Sequence, residues 1–173
     1  MKKYIFFLLL SSLVVGQSEA ASTKMDWWVD HKNGDDSNSG ATEETAVKTV
    51  YKAMKNIGWF NGDTIKVKPA LNSDGTLHYY DFKSEEINLN TSNNFVLIGT
   101  GGADSTIFDA RNTNRHFTFD DGQSSETIIK GITFKNGYAD NWPGAGSIFL
   151  QNQTNIQFID CIWENNSTNG HEG

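Results

Sequence analysis

The chain is predicted to be all-β and to fold as a solenoid, on three observations: an echo of one strand pair 29 residues further on, a run of short strands spaced by turn residues, and one amphipathic helix ahead of them. The echo joins residues 127–136, TIIKGITFKN, to residues 156–165, IQFIDCIWEN. Thr127, Ile129, Ile132 and Phe134 align with Ile156, Phe158, Cys161 and Trp163, so the apolar positions recur as a set. Alternation with a period of two turns side chains to one face of a strand, and the change of phase between the second and third positions implies a corner. A unit so short cannot bury its apolar row alone and must stack on a copy of itself.

Residues 1–20 stand apart from this pattern. Lys2 and Lys3 precede an apolar run that is too short to cross a membrane, and small residues follow at Ser18 and Ala20. The segment reads as a secretory signal peptide cut after Ala20. Residues 21–62 read as an N-terminal cap segment, with a short apolar segment around Trp27 to Val29 and then a loop rich in oxygen donors. Its helix is expected over about 42–58: Val47, Val50, Met54 and Ile57 make one stripe, Glu43 and Glu44 fall in the first turn, and Gly58 stops it. Such a helix could cover the open end of a stack, where strand edges and apolar interior are otherwise bare.

Residues 63–173 read as coils, incomplete at the C-terminal end. The strands DTIKVK, EINLN, NFVLIG, STIFDA and RHFTFDD precede the first copy of the echo, and GSIFLQN lies between the copies. Gly, Asn, Asp and Ser fill the intervals, as corners require. A β-sandwich also has short strands, but it does not require their content to recur at a fixed period. The final NGHEG stands where another glycine turn would begin, so the chain is expected to be the N-terminal part of a longer protein.

Composition narrows the partners. The chain holds 14 basic and 21 acidic residues, net −7, and removing Lys2, Lys3 and Glu19 leaves it more acidic still. That balance disfavours nucleic acid and anionic membranes, and no second long apolar run suggests a membrane span. Cys161 is the single cysteine, so no disulfide framework exists; at an inward position it reads as a small core side chain. Asp30, Asn33, Asp35 and Asp36, with Ser37 and Asn38, supply the hard oxygens of a Ca²⁺ loop but lack EF-hand spacing, and they fit a solvated Asx-rich turn as well. Asn136 and Asn165 occupy equivalent corners, where stacked amides could bond along the stack. Trp27, Trp28, Trp59, Trp142, Tyr79, Tyr80 and Tyr138 could pack on the cap and turns or stack on sugar rings. Asn90, Asn152, Asn165 and Asn166 each begin an N-x-S/T triplet.

The N-terminal stretch resembles the entry segment of the pectin-lyase-like superfamily of right-handed parallel β-helices. The matching positions are Val29, Asn33, Gly34, Asp36, Ser37, Gly40, Thr49, Lys52, Ala53, Gly62, Asp63, Thr64, Ile65 and Val67. Downstream, the stretch from Gly99 to the second copy is similar to polymorphic outer-membrane protein repeats. The chain departs from these patterns at Ala46, where proline is usual, at the GAGSI turn of residues 144–148, and at Trp163. The resemblance implies a secreted, cell-surface or outer-membrane β-helix protein that binds extracellular polysaccharide, or a glycan or protein on cells. Members also include polysaccharide lyases and glycoside hydrolases acting on pectin-like polymers, and structural spacers. Lyases of the fold use a Lys or Arg base beside carboxylates that hold Ca²⁺, and hydrolases use aspartates. None of the strings W-I-D-H, R-x-P-x-x-R, N-T-D or G-H-G occurs. Lys130, Arg111, Arg115, Asp109, Asp120 and Asp121 are candidates for such a site or for an ordinary charged surface, and His31, His78, His116 and His171 show no metal spacing.

Overall fold

A computed structural model describes residues 23–56, 62–69, 80–81, 87–89, 93–120, 122–140, 144–152 and 154–169. The signal-peptide segment, Trp59, His78, Tyr79, Asn90, Asp121, Trp142 and the NGHEG end from its glycine onward lie outside the described residues. Every strand pair described is parallel. Because a parallel neighbour cannot be reached by a hairpin, each partner lies a long step away in sequence.

The largest sheet joins β1 (Asp26–Val29), β2 (Asp63–Val67), β5 (Phe95–Gly99), β8 (Ile128–Lys130) and β12 (Gln157–Ile159), in that order. A second sheet places β3 (Tyr80–Asp81), β6 (Ile107–Asp109), β9 (Thr133–Lys135) and β13 (Ile162–Glu164) side by side. A third holds β4 (Ile87–Leu89), β7 (Phe117–Phe119) and β11 (Ile148–Leu150), and β10 (Tyr138–Ala139) pairs with β14 (Ser167–Thr168). The echo is therefore a pair of registers: Ile129 faces Phe158 across β8 and β12, and Phe134 faces Trp163 across β9 and β13.

Alternation sends one row of each strand inward. In the five-stranded sheet Ile65, Leu97 and Ile129 are fully buried in register, with Phe158 after them. In the four-stranded sheet the inward row is aromatic: Tyr80, Phe108, Phe134 and Trp163, with successive ring centroids 5.6, 5.8 and 5.9 Å apart. Offset and edge-to-face contacts at such distances add to the burial of large apolar surface. Burial fades at the last strands, where Ile162 is 43% and Trp163 48% exposed, because no described strand covers their outer side.

At the other end the structure corrects the expected helix. Instead of running from about 42, α1 is Val50–Asn56 among the described residues, with no acidic residue in its first turn. The preceding residues serve β1 instead. Trp28 N donates to Gly40 O, Val47 N donates to Trp28 O, and Asp30 N donates to Val47 O, so segment 40–47 satisfies the outer edge of β1. A backbone committed to a strand edge cannot also form helical i to i−4 bonds. The helix begins at an N-cap, Thr49, whose Oγ1 accepts from Lys52 N at 3.0 Å. Its Val50, Ala53 and Met54 join the core against β1 and β2. The edge is thus closed by a loop, and the helix packs beside it.

Candidate functional site

Two regions gather polar chemistry. The first is the loop after β1. Asp30, only 6% exposed, accepts from Lys32 N and Asn33 N through Oδ1 at 3.0 and 2.9 Å, and from Asn33 Nδ2 through Oδ2 at 3.2 Å. Lys68, just past β2, brings its ammonium 3.1 Å from Asp30 Oδ2 and 2.8 Å from Glu43 Oε1. Asp30, Asn33, Glu43, Glu44, Ala46 and Lys68 line a pocket of about 230 Å³. Burial pushes the Asp30 carboxyl upward, but the hydrogen bonds from Asn33 and the Lys68 ammonium outweigh it and hold it below the usual range. The Glu43 hydrogen bond raises Lys68 against a smaller cost of burial. Behind the pocket, burial raises the Tyr80 phenol well above its ordinary value, and its hydroxyl donates to Lys68 O at 2.7 Å.

The other oxygen donors of this loop face different partners. Asp35 accepts from Ser37 N and Oγ at 2.8 and 2.7 Å, an exposed Asx turn. Asp36 accepts from Lys48 N, Thr49 N and Thr49 Oγ1 at 2.8, 2.9 and 2.9 Å, and so holds the start of α1. Asn38 donates to Ala46 O. Among the described residues no three carboxylates, histidines or cysteines converge as a metal set. The sequence-adjacent aspartates thus separate into three structural tasks, and Lys68, which sequence reading did not single out, supplies the cation beside Asp30.

The second region is the outer face of the five-stranded sheet. The register sets Trp28, Lys66, Ile98, Lys130 and Ile159 in one row across five strands, beside the row Asp26, Thr64, Val96, Ile128 and Gln157. Lys66 Nζ lies 5.0 Å from the Trp28 ring centroid and 2.5 Å from Asp26 Oδ2. Lys130 lies 3.9 Å from Asp160, with both side chains well exposed. Since neighbouring strands are about 4.8 Å apart, Lys66 and Lys130 stand about 10 Å apart at the backbone with Ile98 between them. In an acidic chain this row carries cations, aliphatic side chains and one indole on one sheet face. Alternation within DTIKV and within the echo held this row in the sequence, but only the register joins the pieces.

Among the described residues the other charged candidates are spread over β6, β8 and the segments beside β6 and β7. Lys130 lies on β8, Asp109 on β6, and Arg115 is buried with its guanidinium 5.5 Å from the Phe149 ring. Asp109 accepts from Arg111 N and from Asn136 Nδ2 at 2.9 and 2.8 Å, and the Asp120 carbonyl accepts from Asn152 Nδ2. His116 is fully buried, and His31 packs edge-on to Tyr80. Trp27 donates to Asp63 Oδ2 and packs on the core, and Tyr138 is partly buried on β10. Cys161 is half-buried against the core, and burial raises its thiol pKa.

Asn136 and Asn165 share a left-handed backbone, φ 53° and 54°, at equivalent corners. The amide bonds along the stack differ from a simple Asn–Asn ladder. Asn136 donates to Asp109, while Asn166 donates to Phe134 O at 2.9 Å and accepts from Gly137 N at 2.7 Å. Asn166 stands 29 positions after Gly137, so the echo extended by one residue would have found it. Comparison with family models, with curated proteins and with solved structures yields no match to this chain.

Proposed function

We propose that the chain is a right-handed parallel β-helix that serves outside the cell as a binding module for an extended glycan. Parallel pairing, ladder steps such as Thr64 to Val96 to Ile128, and inward rows that line up support the β-helix reading. Right-handedness follows from the strong preference of parallel crossovers. In this reading segment 40–47 closes the edge of the first coil, with α1 packed beside it, and the signal peptide directs the chain to the secreted or cell-surface compartment. Lys68 supplies a cation to the Asp30 loop.

The observation that carries the binding role is the outer row Trp28, Lys66, Ile98, Lys130, Ile159. Apolar side chains receive the C–H faces of sugar rings, while ammonium groups donate to hydroxyl or carboxylate oxygens. A repeating surface fits a repeating polymer. Affinity electrophoresis through gels containing neutral or acidic polysaccharides tests this: the protein is retarded by at least one polymer, and Trp28→Ala with Lys66→Ala and Lys130→Ala abolishes the retardation. Equal mobility in every gel contradicts the binding role and leaves a spacer. Release of unsaturated or reducing sugars would replace it with a lyase or hydrolase.

A further inference from the structure

The chain contains Asn–Gly pairs, the dipeptide most prone to deamidation, because an unhindered glycine N–H can attack the asparagine side-chain carbonyl. At Asn136–Gly137 the corner dictates the pair. Asn136 adopts φ 53°, a conformation asparagine tolerates better than most residues, and a Cβ on Gly137 would overlap the Gly146 carbonyl oxygen and meet Asn166 Oδ1 at 2.8 Å. Both reacting groups are engaged. Asn136 Nδ2 donates to Asp109 Oδ1 at 2.8 Å, and Gly137 N donates to Asn166 Oδ1 at 2.7 Å.

Asn33–Gly34 repeats the arrangement with other parts. Asn33 Nδ2 donates to Asp30 Oδ2 at 3.2 Å, Gly34 N donates to Asp30 O at 2.8 Å, and a Cβ on Gly34 would overlap Val47 O. Here the guard is local, within one turn. At Gly137 the guard is Asn166, which sits after β13 in the most exposed part of the described chain.

From this difference we infer that Asn136 is a modification site gated by the seating of the last described coil. When Asn166 leaves, the freed Gly137 nitrogen, losing its proton, attacks Asn136 Cγ. The side-chain nitrogen departs as ammonia, and a succinimide closes. Water then opens the ring to aspartate or isoaspartate. Either product replaces the amide donor with a carboxylate facing Asp109, so the corner is not restored and the coil above it seats less well. Asn33, guarded by its own loop, stays intact while the last coil opens.

The test follows both asparagines in the full chain at mildly alkaline pH, by peptide mass spectrometry and isoaspartate labelling. In urea the two sites react at similar rates, and in the native protein both are slowed. Asn166→Ala accelerates Asn136 about tenfold, the effect of one lost hydrogen bond on a local opening, and leaves Asn33 slow. Asn166→Asp keeps an acceptor for Gly137 N–H but loses the donor to Phe134 O, so Asn136 reacts at a rate between those of the native chain and Asn166→Ala. The proposal is overturned if native Asn136 reacts as fast as in urea, or if Asn166→Ala leaves it unchanged. Should Asn166→Ala unfold the chain and accelerate both sites alike, the native chain in sub-denaturing urea decides: Asn136 accelerating at lower urea than Asn33 supports the gate, and the two accelerating together overturns it.

Discussion

His116 shows how one buried side chain ties stability to pH. It is fully buried, with Nε2 2.9 Å from Phe108 O and Nδ1 3.1 Å from Ser147 Oγ. A carbonyl only accepts, so Nε2 carries the proton and Nδ1 accepts from Ser147. Burial pushes the pKa down from 6.5 to about 4, against backbone hydrogen bonds that favour the charged ring. Above 6.5 both folded and unfolded chains hold it neutral. Below that the unfolded chain takes up the proton first, so stability falls as pH drops and levels off near 4. The loss approaches ~3 kcal/mol. Urea denaturation at pH 7.5 and pH 5 should show about 2 kcal/mol of this loss, the remainder falling below pH 5, and His116→Gln should remove the part of the slope that belongs to the ring. An unchanged slope in His116→Gln contradicts the assignment. Spacing singled out none of this: a lone histidine next to an apolar strand signals burial only after Phe108 and Ser147 are known to flank it.

At the scale of elements, α1 is short and depends on its entry. Asp36 gathers Lys48 N, Thr49 N and Thr49 Oγ1, and Thr49 caps Lys52 N. Thr49→Ala should cost about 1 kcal/mol and Asp36→Ala about 2 kcal/mol, since the latter removes charge-assisted bonds. Thermal unfolding checks the order: equal losses, or none at Asp36, would deny the carboxylate its role as the helix support. The amphipathic stripe was legible because Val50 and Met54 do face the core. The start of the helix was not, because Val47 satisfies a helical period and a strand bridge to Val29 equally well. Likewise the run of aspartates revealed oxygen donors but not their partners. Lys68 and Thr49 lie 38 and 13 positions from the aspartates they serve, Asp30 and Asp36.

At the scale of the whole molecule, the echo gave the correct partners for two ladders, because side chains that repeat inward in sequence repeat inward in space. It did not reveal the steps between earlier strands, which range from 26 positions for Ile107 to Thr133 to 38 for Asp26 to Thr64. Corners there absorb insertions, and without identical spacing the sequence shows no repeat. The account rests on one continuous stack, in which β1 and β12 are outer members of one five-stranded sheet. Asp26 and Gln157 mark its two sides in one row. Spin labels at Asp26→Cys and Gln157→Cys, with Cys161→Ala to remove the native thiol, measure the span by double electron–electron resonance. Four strand spacings predict a narrow distribution centred at a backbone separation of about 19 Å. A broad distribution, or one centred beyond about 30 Å, would mean that the strands do not share a sheet and would contradict the stack.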